Sequence, residues 1–223
     1  MTKKTKDWTP SKEAKVLLIG HDPRLQESET IAEYALFADY YFKEEQRAVS
    51  EKKKQKFARN SINNILELTK NKFSAENIYV TNLCNDELQR DESTTKKTVY
   101  IPLDKAKKGV EHIKDILAKN PSIEYVFAMS QQVNYWLQEL GLYPQQPGFI
   151  EKATPKDKGV KNKPPYYEAK KGRAFLEICG KSYKINGSKQ TIIPILHIKS
   201  YSLIIGRYPE YKKCYDNLKK TFK

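Results

Sequence analysis

The sequence lacks any apolar run near the ~20 residues that a membrane-spanning helix requires. Its first six residues are polar and lack the apolar core of a secretory signal. Only three cysteines occur (Cys84, Cys179 and Cys214), and no two form a CxxC pair. This spacing argues against a disulfide framework, a cysteine-rich zinc site and a four-cysteine iron–sulfur cluster. We therefore expect a cytoplasmic protein that spans no membrane and binds no metal or cofactor.

Arginine is also scarce, with 6 residues against 35 lysines among the 223 residues of the chain. The formal net charge is +14, and it is unevenly distributed. Residues 1–150 hold 23 basic and 21 acidic side chains, whereas residues 151–223 hold 18 and 6. Such asymmetry predicts a surface for a polyanion, usually nucleic acid, while the alternative is a lysine-rich composition that keeps the protein soluble. Because lysine suits phosphates better than base edges, sequence-tolerant binding is expected.

Four short apolar runs predict strands that are buried on both faces, as in a parallel sheet. They lie at 16–19, 78–81, 125–129 and 192–196. Pro194 within the last run predicts an edge strand or a bulge. Asn186-Gly187 predicts a hairpin turn before that run.

Helical periodicity fills the segments between these runs. It predicts helices at 31–42 behind a Thr30–Glu33 capping box, at 58–69, at 106–117 with Asp104 as N-cap, after Ser130, and at 211–222. Strands that alternate with helices predict a single α/β domain over 1–223. Its expected architecture is a three-layer αβα fold with a four-stranded, mostly parallel central sheet. Residues 143–172 carry five prolines and many lysines, which predicts a basic irregular insertion.

Polar residues follow each predicted strand, where open α/β sheets bind ligands. His21 and Asp22 follow the first strand, Asn82 ends the second, Ser130 follows the third and His197 follows the fourth. Each has a structural alternative as a turn former, loop cap, helix N-cap or sheet-edge histidine. Their convergence at one edge nevertheless predicts a functional site. The remaining histidine, His112, lies off the apolar face of its helix and is expected to be solvated.

The sequence resembles the uracil-DNA glycosylase superfamily at three places. Residues 16–23 (VLLIGHDP) resemble the first motif of the family, an apolar strand followed by Gly, a polar residue, Asp and Pro. Residues 78–83 (IYVTNL) resemble the strand that carries the base-reading asparagine, and residues 196–200 (LHIKS) stand where the second motif, His-Pro-Ser-Pro, would lie. The order and spacing agree across residues 15–200, but the chain departs from the family in two ways. Arg24 and Leu25 replace a Tyr and a His, and the second motif keeps only its His and a Ser.

The resemblance implies cleavage of an N-glycosidic bond in DNA, and the cysteine count excludes the iron–sulfur branches of the family. The resemblance also implies that Asp22 stabilises the cationic sugar and orients the attacking water, and that His197 stabilises the departing base anion. Together with the basic charge of residues 151–223, the resemblance leads us to expect a base-binding set and a DNA-binding set of residues. The base-binding set is His21, Asn82 and Phe37, and the DNA-binding set is Arg24, Lys199, Ser200 and Arg207.

The leading hypothesis is therefore a monomeric DNA glycosylase of base excision repair that removes uracil or a related damaged base. One alternative is a non-catalytic nucleic-acid-binding protein that keeps the fold. A second alternative, a nucleotide- or nucleoside-processing α/β enzyme, is disfavoured because no glycine-rich phosphate loop follows any strand.

Overall fold

A five-stranded sheet forms the centre of the protein in the computed structural model, which describes residues 4–21, 31–43, 48–88, 101–150, 174–197 and 209–222. The strands are β1 (Val16–Gly20), β2 (Ile78–Asn82), β3 (Tyr125–Met129), β4 (Tyr183–Lys184) and β5 (Thr191–Ile195). Their spatial order is β2-β1-β3-β5-β4.

The four predicted strands are neighbours and run parallel, as expected from their continuous apolar sequences. In β1, Val16 is in register with Ile78 of β2 on one side and with Tyr125 of β3 on the other, and β3 pairs with β5. The fifth strand, β4, was not predicted as a strand of its own. It pairs antiparallel with β5 across a turn at Asn186-Gly187, which confirms the predicted hairpin.

Five α-helices in the described part of the chain accompany the sheet: α1 (Val49–Leu68), α2 (Leu103–Lys119), α3 (Gln131–Glu139), α4 (Pro147–Ile150) and α5 (Glu210–Thr221). Helix α1 contacts α5, whereas α2 contacts α3. Every residue of β1 is buried, so the sheet is covered on both faces. The connection from β1 to β2 runs one way across the sheet and that from β2 to β3 runs back. Right-handed crossovers therefore place α1 and α2 on opposite faces, compatible with three αβα layers. No helix within the described ranges is long and apolar enough to cross a membrane.

Of the helix N-caps predicted from the sequence, one is confirmed and one is wrong. Ser130 is the N-cap of α3, and its side chain accepts a hydrogen bond from the Val133 amide at 3.4 Å. The N-cap of α2 is Pro102, so the prediction of Asp104 as N-cap was wrong. Asp104 lies inside the first turn, where a carboxylate still interacts favourably with the helix dipole.

The predicted amphipathic helix at 31–42 is absent. The segment forms a 3₁₀ helix at Ala35–Tyr41 that is interrupted by left-handed backbone at Leu36 (φ 52°) and Phe37 (φ 56°). The two side chains thereby reach different neighbours, since Leu36 packs over Gly20 and Phe37 packs against Phe57 of α1. Tertiary packing has overridden the helical period of this segment.

The first residues of the predicted insertion at 143–172 lie within the described part of the chain. Tyr143 and Phe149 are fully buried, and the Tyr143 hydroxyl donates to Asn134 Oδ1 and accepts from Gln138 Nε2, both at 2.9 Å. Two aromatic rings therefore anchor residues 143–150 to the core, whereas Pro144, Gln145 and Pro147 are exposed. Residues 151–173 lie outside the described residues.

The strand with the internal proline is not at the edge of the sheet, because β4 lies beyond it. However, β4 pairs only with Thr191 and Ile192. Pro194 lies past this pairing, where its missing N–H breaks no bond of the β4–β5 ladder. Its carbonyl accepts from the Gly180 amide at 2.8 Å.

The outer side of β2 is covered by the N-terminal segment, in which Trp8 exchanges two backbone hydrogen bonds with Val80. This segment is fastened by Asp7, whose carboxylate accepts from His112 at 2.7 Å, Thr81 at 2.7 Å and Asn85 at 2.9 Å. The expectation that His112 is merely solvated was therefore wrong. Its ring is partly exposed but holds a carboxylate that is itself 14% exposed.

The Asp7–His112 pair is mutually stabilised in its charged form. Burial tends to raise the pKa of Asp7, but the hydrogen bonds from His112, Thr81 and Asn85 outweigh burial and lower this pKa. The hydrogen bond to Asp7 raises the pKa of His112 against partial desolvation. The pair therefore contributes most between the usual values of 3.8 for aspartate and 6.5 for histidine. Its contribution is lost as the pH falls through the lowered pKa of Asp7 or rises through the raised pKa of His112.

We expect His112→Ala to lower the free energy of unfolding by about 1 kcal/mol near pH ~5.5, because a charge-assisted hydrogen bond at a partly exposed site is lost. The difference from the wild type should shrink as the pH rises above the pKa of His112. Urea unfolding from pH 5 to 9 measures it. Lys114→Ala, on the exposed side of the same helix, is the control. A His112→Ala deficit that stays constant or grows at high pH would contradict this account.

Candidate functional site

The carboxyl ends of the parallel strands bring the described site residues to one edge of the sheet. His21 follows β1, Asn82 ends β2, Ser130 follows β3 and His197 lies two residues after β5. The connection that leaves β1 runs to β2 on one side and the connection that leaves β3 runs to β5 on the other, so the topological switch point lies between β1 and β3. Crevices at such switch points are where open α/β sheets bind ligands.

Asn82 is the most unusual polar residue at this edge. It is 1% exposed, and neither Nδ2 nor Oδ1 has a hydrogen-bond partner within the described part of the chain. A buried amide without partners costs about 1–3 kcal/mol for each unsatisfied group. The fold keeps this amide buried despite that cost. A ligand that presents an acceptor beside a donor would pair with both atoms of the amide and so remove this free-energy cost.

Gly20 makes room for the Asn82 side chain. The two residues are register partners in β1 and β2, and a Cβ on Gly20 would collide with Asn82 Oδ1 and with Leu36 Cδ2. Because a glycine stands here, the amide can lie directly over the β1 backbone. Leu36 is held there by left-handed backbone, so the kink in the 3₁₀ segment belongs to the same packing.

Gln132, in the first turn of α3, holds His21. Its Oε1 accepts from the Ile101 backbone amide at 2.9 Å and lies 2.5 Å from His21 Nε2. Since a backbone N–H donates to it, this atom is the carbonyl oxygen of the side chain, and His21 Nε2 must carry a proton. Gln132 is 5% exposed and thus fixes both the orientation and the tautomer of His21.

His197 lies against an aromatic cluster on the α1 side of the sheet. Its ring is 5.8 Å from that of Phe57, with 31° between the planes. Phe57 is in turn 6.3 Å from Phe37 and perpendicular to it. Phe37 is 3% exposed and packs edge-on against Tyr40 as well, so Phe57 is the more accessible ring beside His197.

Backbone strain is concentrated near this edge. Five described residues other than glycine have left-handed φ values, and three of them border the site: Leu36, Phe37 and Ser130 (φ 77°). Such conformations cost of order 1–3 kcal/mol each and persist where packing over-determines them. The Ser130 amide donates to the Ile195 carbonyl at 3.0 Å, which links the end of β3 to the end of β5.

Several predicted site residues lie outside the described residues: Asp22, Arg24, Lys199, Ser200 and Arg207. Their assigned roles stay predictions. Two contributors were missed by the sequence reasoning, Gln132 and Phe57. Gln132 is a buried polar residue one turn after a strand end, and Phe57 is an aromatic residue beside the buried stripe of α1. Helical periodicity could have placed Gln132 on the buried side of α3, but nothing in the sequence names its partners.

The larger grooves in the described part of the chain do not lie at this edge of the sheet. Two grooves, of about 540 and 320 Å³, lie at the opposite edge, near residues that precede the strands, such as Asn120 and Lys189. No group of three or more His, Cys, Asp or Glu within the described ranges is arranged to hold a metal ion. The three cysteines form no disulfide bond with one another.

No family model matches this chain, and no curated protein matches its sequence at a significant level.

Gly20→Ala should destabilise the protein by about 1–3 kcal/mol, because the added methyl collides with Asn82 and Leu36 and forces one of them to move. Gly148→Ala is the matched control, since a Cβ there meets only Glu177 at 3.5 Å. Urea unfolding of both variants measures the difference. Equal stability of the two variants would contradict the close packing of Gly20 and Asn82.

Gln132→Ala should leave His21 able to adopt either neutral tautomer. Gln132→Glu should keep the proton on His21 Nε2, because a carboxylate oxygen still accepts a hydrogen bond from that nitrogen. Long-range ¹H–¹⁵N NMR reads the protonated ring nitrogen directly, and only three histidines need assignment. His112 and His197 serve as internal controls. A wild-type His21 protonated on Nδ1 alone would overturn the assignment.

Proposed function

We propose that the protein is a DNA glycosylase that removes uracil or a related base, as a divergent, cluster-free relative of the uracil-DNA glycosylase superfamily. The observation that carries the proposal is the buried, unpartnered amide of Asn82, which lies beside the end of β1 at the candidate edge of the sheet. The strand that ends at Asn82 is also the one whose sequence resembles the base-reading strand of that family.

Base selection follows from the chemistry of the amide. Uracil presents the O4 acceptor beside the N3–H donor, and the Asn82 side chain presents Nδ2–H beside Oδ1. Binding uracil would satisfy both atoms at once. A base with a different pattern would leave the amide unpaired, and sites that hydrogen-bond their substrates reject such analogues strongly.

His197 supports the second half of the proposal, the departure of the base. Breaking the C1′–N1 bond leaves the electron pair on the base, and a donor to its carbonyl oxygen stabilises the anion. Three strand spacings separate the ends of β2 and β5, roughly 14 Å of backbone. Side chains that reach inward from both ends thus suit a single nucleoside between Asn82 and His197. Phe57 offers this nucleoside an aromatic wall.

The sugar is the remaining reacting group. Asp22 directly follows His21, and a carboxylate there would stabilise the oxocarbenium-like cation. It would also orient the water whose oxygen adds to C1′, while the proton of that water passes to the carboxylate or to solvent. His21, held by Gln132, is assigned to contact the base. The target nucleotide must leave the duplex, at a cost of a few kcal/mol, least for a mismatched base.

Single-turnover release of base from a uracil-containing oligonucleotide tests the proposal, with thymine-mismatch and hypoxanthine substrates alongside. His197→Ala should slow release by roughly 10²–10³-fold, the usual effect of removing one preorganised donor to a developing anion. Asp22→Asn should also slow release while DNA binding remains. Asn82→Ala should instead reduce discrimination between bases, and Arg24→Tyr should narrow the choice toward uracil.

The control is Gln145→Ala, an exposed position outside the site, which should leave the rate of release unchanged. If the wild type releases no base from any substrate but still binds DNA, the protein is a non-catalytic nucleic-acid-binding relative. If His197→Ala and Asp22→Asn release uracil at the wild-type rate, the assigned roles are wrong.

A further inference from the structure

The outward face of α1 carries a dense group of cations. Lys52, Lys56 and Arg59 follow one another at helical spacing and are exposed, and Lys53 is exposed beside them. We call these four residues the α1 basic face. The first turns of this helix contain a single acidic residue, Glu51.

Cations elsewhere in the described ranges are often neutralised by carboxylates. Lys105 pairs with Asp86 at 2.5 Å, and Lys219 pairs with Glu67 at the other end of α1. Lys52, Lys56 and Arg59 take part in no ion pair within those ranges. The positive charge of these three residues is therefore available to an outside anion.

The α1 basic face borders the candidate site. Phe57 lies on the same two turns and packs against His197. Lys53 precedes Phe57 by four residues and so lies one turn away on the same side of the helix. The ring of Tyr40, which packs against Phe37, lies 5.6 Å from Lys54 Nζ. Cations and aromatic rings thus alternate beside the site, as in surfaces that bind single-stranded nucleic acid.

We propose that the α1 basic face binds phosphates of the DNA strand that carries the target nucleotide. This inference rests on the proposed function and adds the location of the strand, which the distribution of charge in the sequence had placed in residues 151–223. At 1.5 Å per residue, Lys52 to Arg59 spans roughly 10 Å, enough for two or three successive phosphates. A strand held there would run along the same turns of α1 that carry Phe57, which packs against His197.

The test compares two triple variants in binding a fluorescent 20-nucleotide single strand at several salt concentrations. Lys52→Gln/Lys56→Gln/Arg59→Gln should weaken binding at least about tenfold at low salt. It should also make the log–log salt slope shallower by about 2, since each phosphate contact on a single strand contributes ~0.7. The loss should be similar for uracil-containing and uracil-free strands, because phosphate contacts carry no sequence information.

The control is Lys114→Gln/Lys119→Gln/Lys189→Gln, which removes the same charge from the opposite edge of the sheet. It should bind nearly as the wild type does, and far-UV circular dichroism should show both variants folded. Equal weakening in both triples, or wild-type binding by the α1 triple, would overturn this inference alone. A wild type that binds no DNA at any salt concentration would overturn the proposed function with it.

Discussion

The close approach of β1 and β2 at Gly20 and Asn82 is the constraint on which the rest of the candidate site depends. Parallel register brings these residues side by side, and the absence of a Cβ on Gly20 lets the asparagine amide lie over the β1 backbone. Leu36 closes the same space from the other direction and needs left-handed backbone to do so. Burial of an unsatisfied amide and strain in the adjoining segment are thus two costs of one arrangement.

The surrounding structure holds this arrangement in place from both sides of the sheet. Asp7 holds the N-terminal segment along the outer side of β2, because its carboxylate accepts a hydrogen bond from Thr81, the residue before Asn82. Gln132 ties the start of α3 to His21 at the end of β1. Rigid elements therefore position the described site residues, which favours binding groups that are preorganised before a ligand arrives.

Much of the fold was predictable because its parallel strands are continuous apolar runs in the sequence. Four runs gave four parallel strands, and the polar residues after them gave the location of the candidate edge. The kink at Leu36 and Phe37 was not predictable, since its sequence has a helical period and only packing against Gly20 and Phe57 breaks it. Gln132 escaped notice for a related reason: its importance lies in two partners, Ile101 and His21, that are far away in sequence.

The central claim is that the Asn82 amide is a base-reading group. NMR observation of its side-chain amide during titration with free uracil tests this claim most directly, with 3-methyluracil, which lacks the N3–H donor, as the matched ligand. The account predicts a saturable shift of the Asn82 Nδ2 protons with uracil and a much weaker response to 3-methyluracil. No response to uracil at millimolar concentration, or equal responses to both ligands, would contradict it.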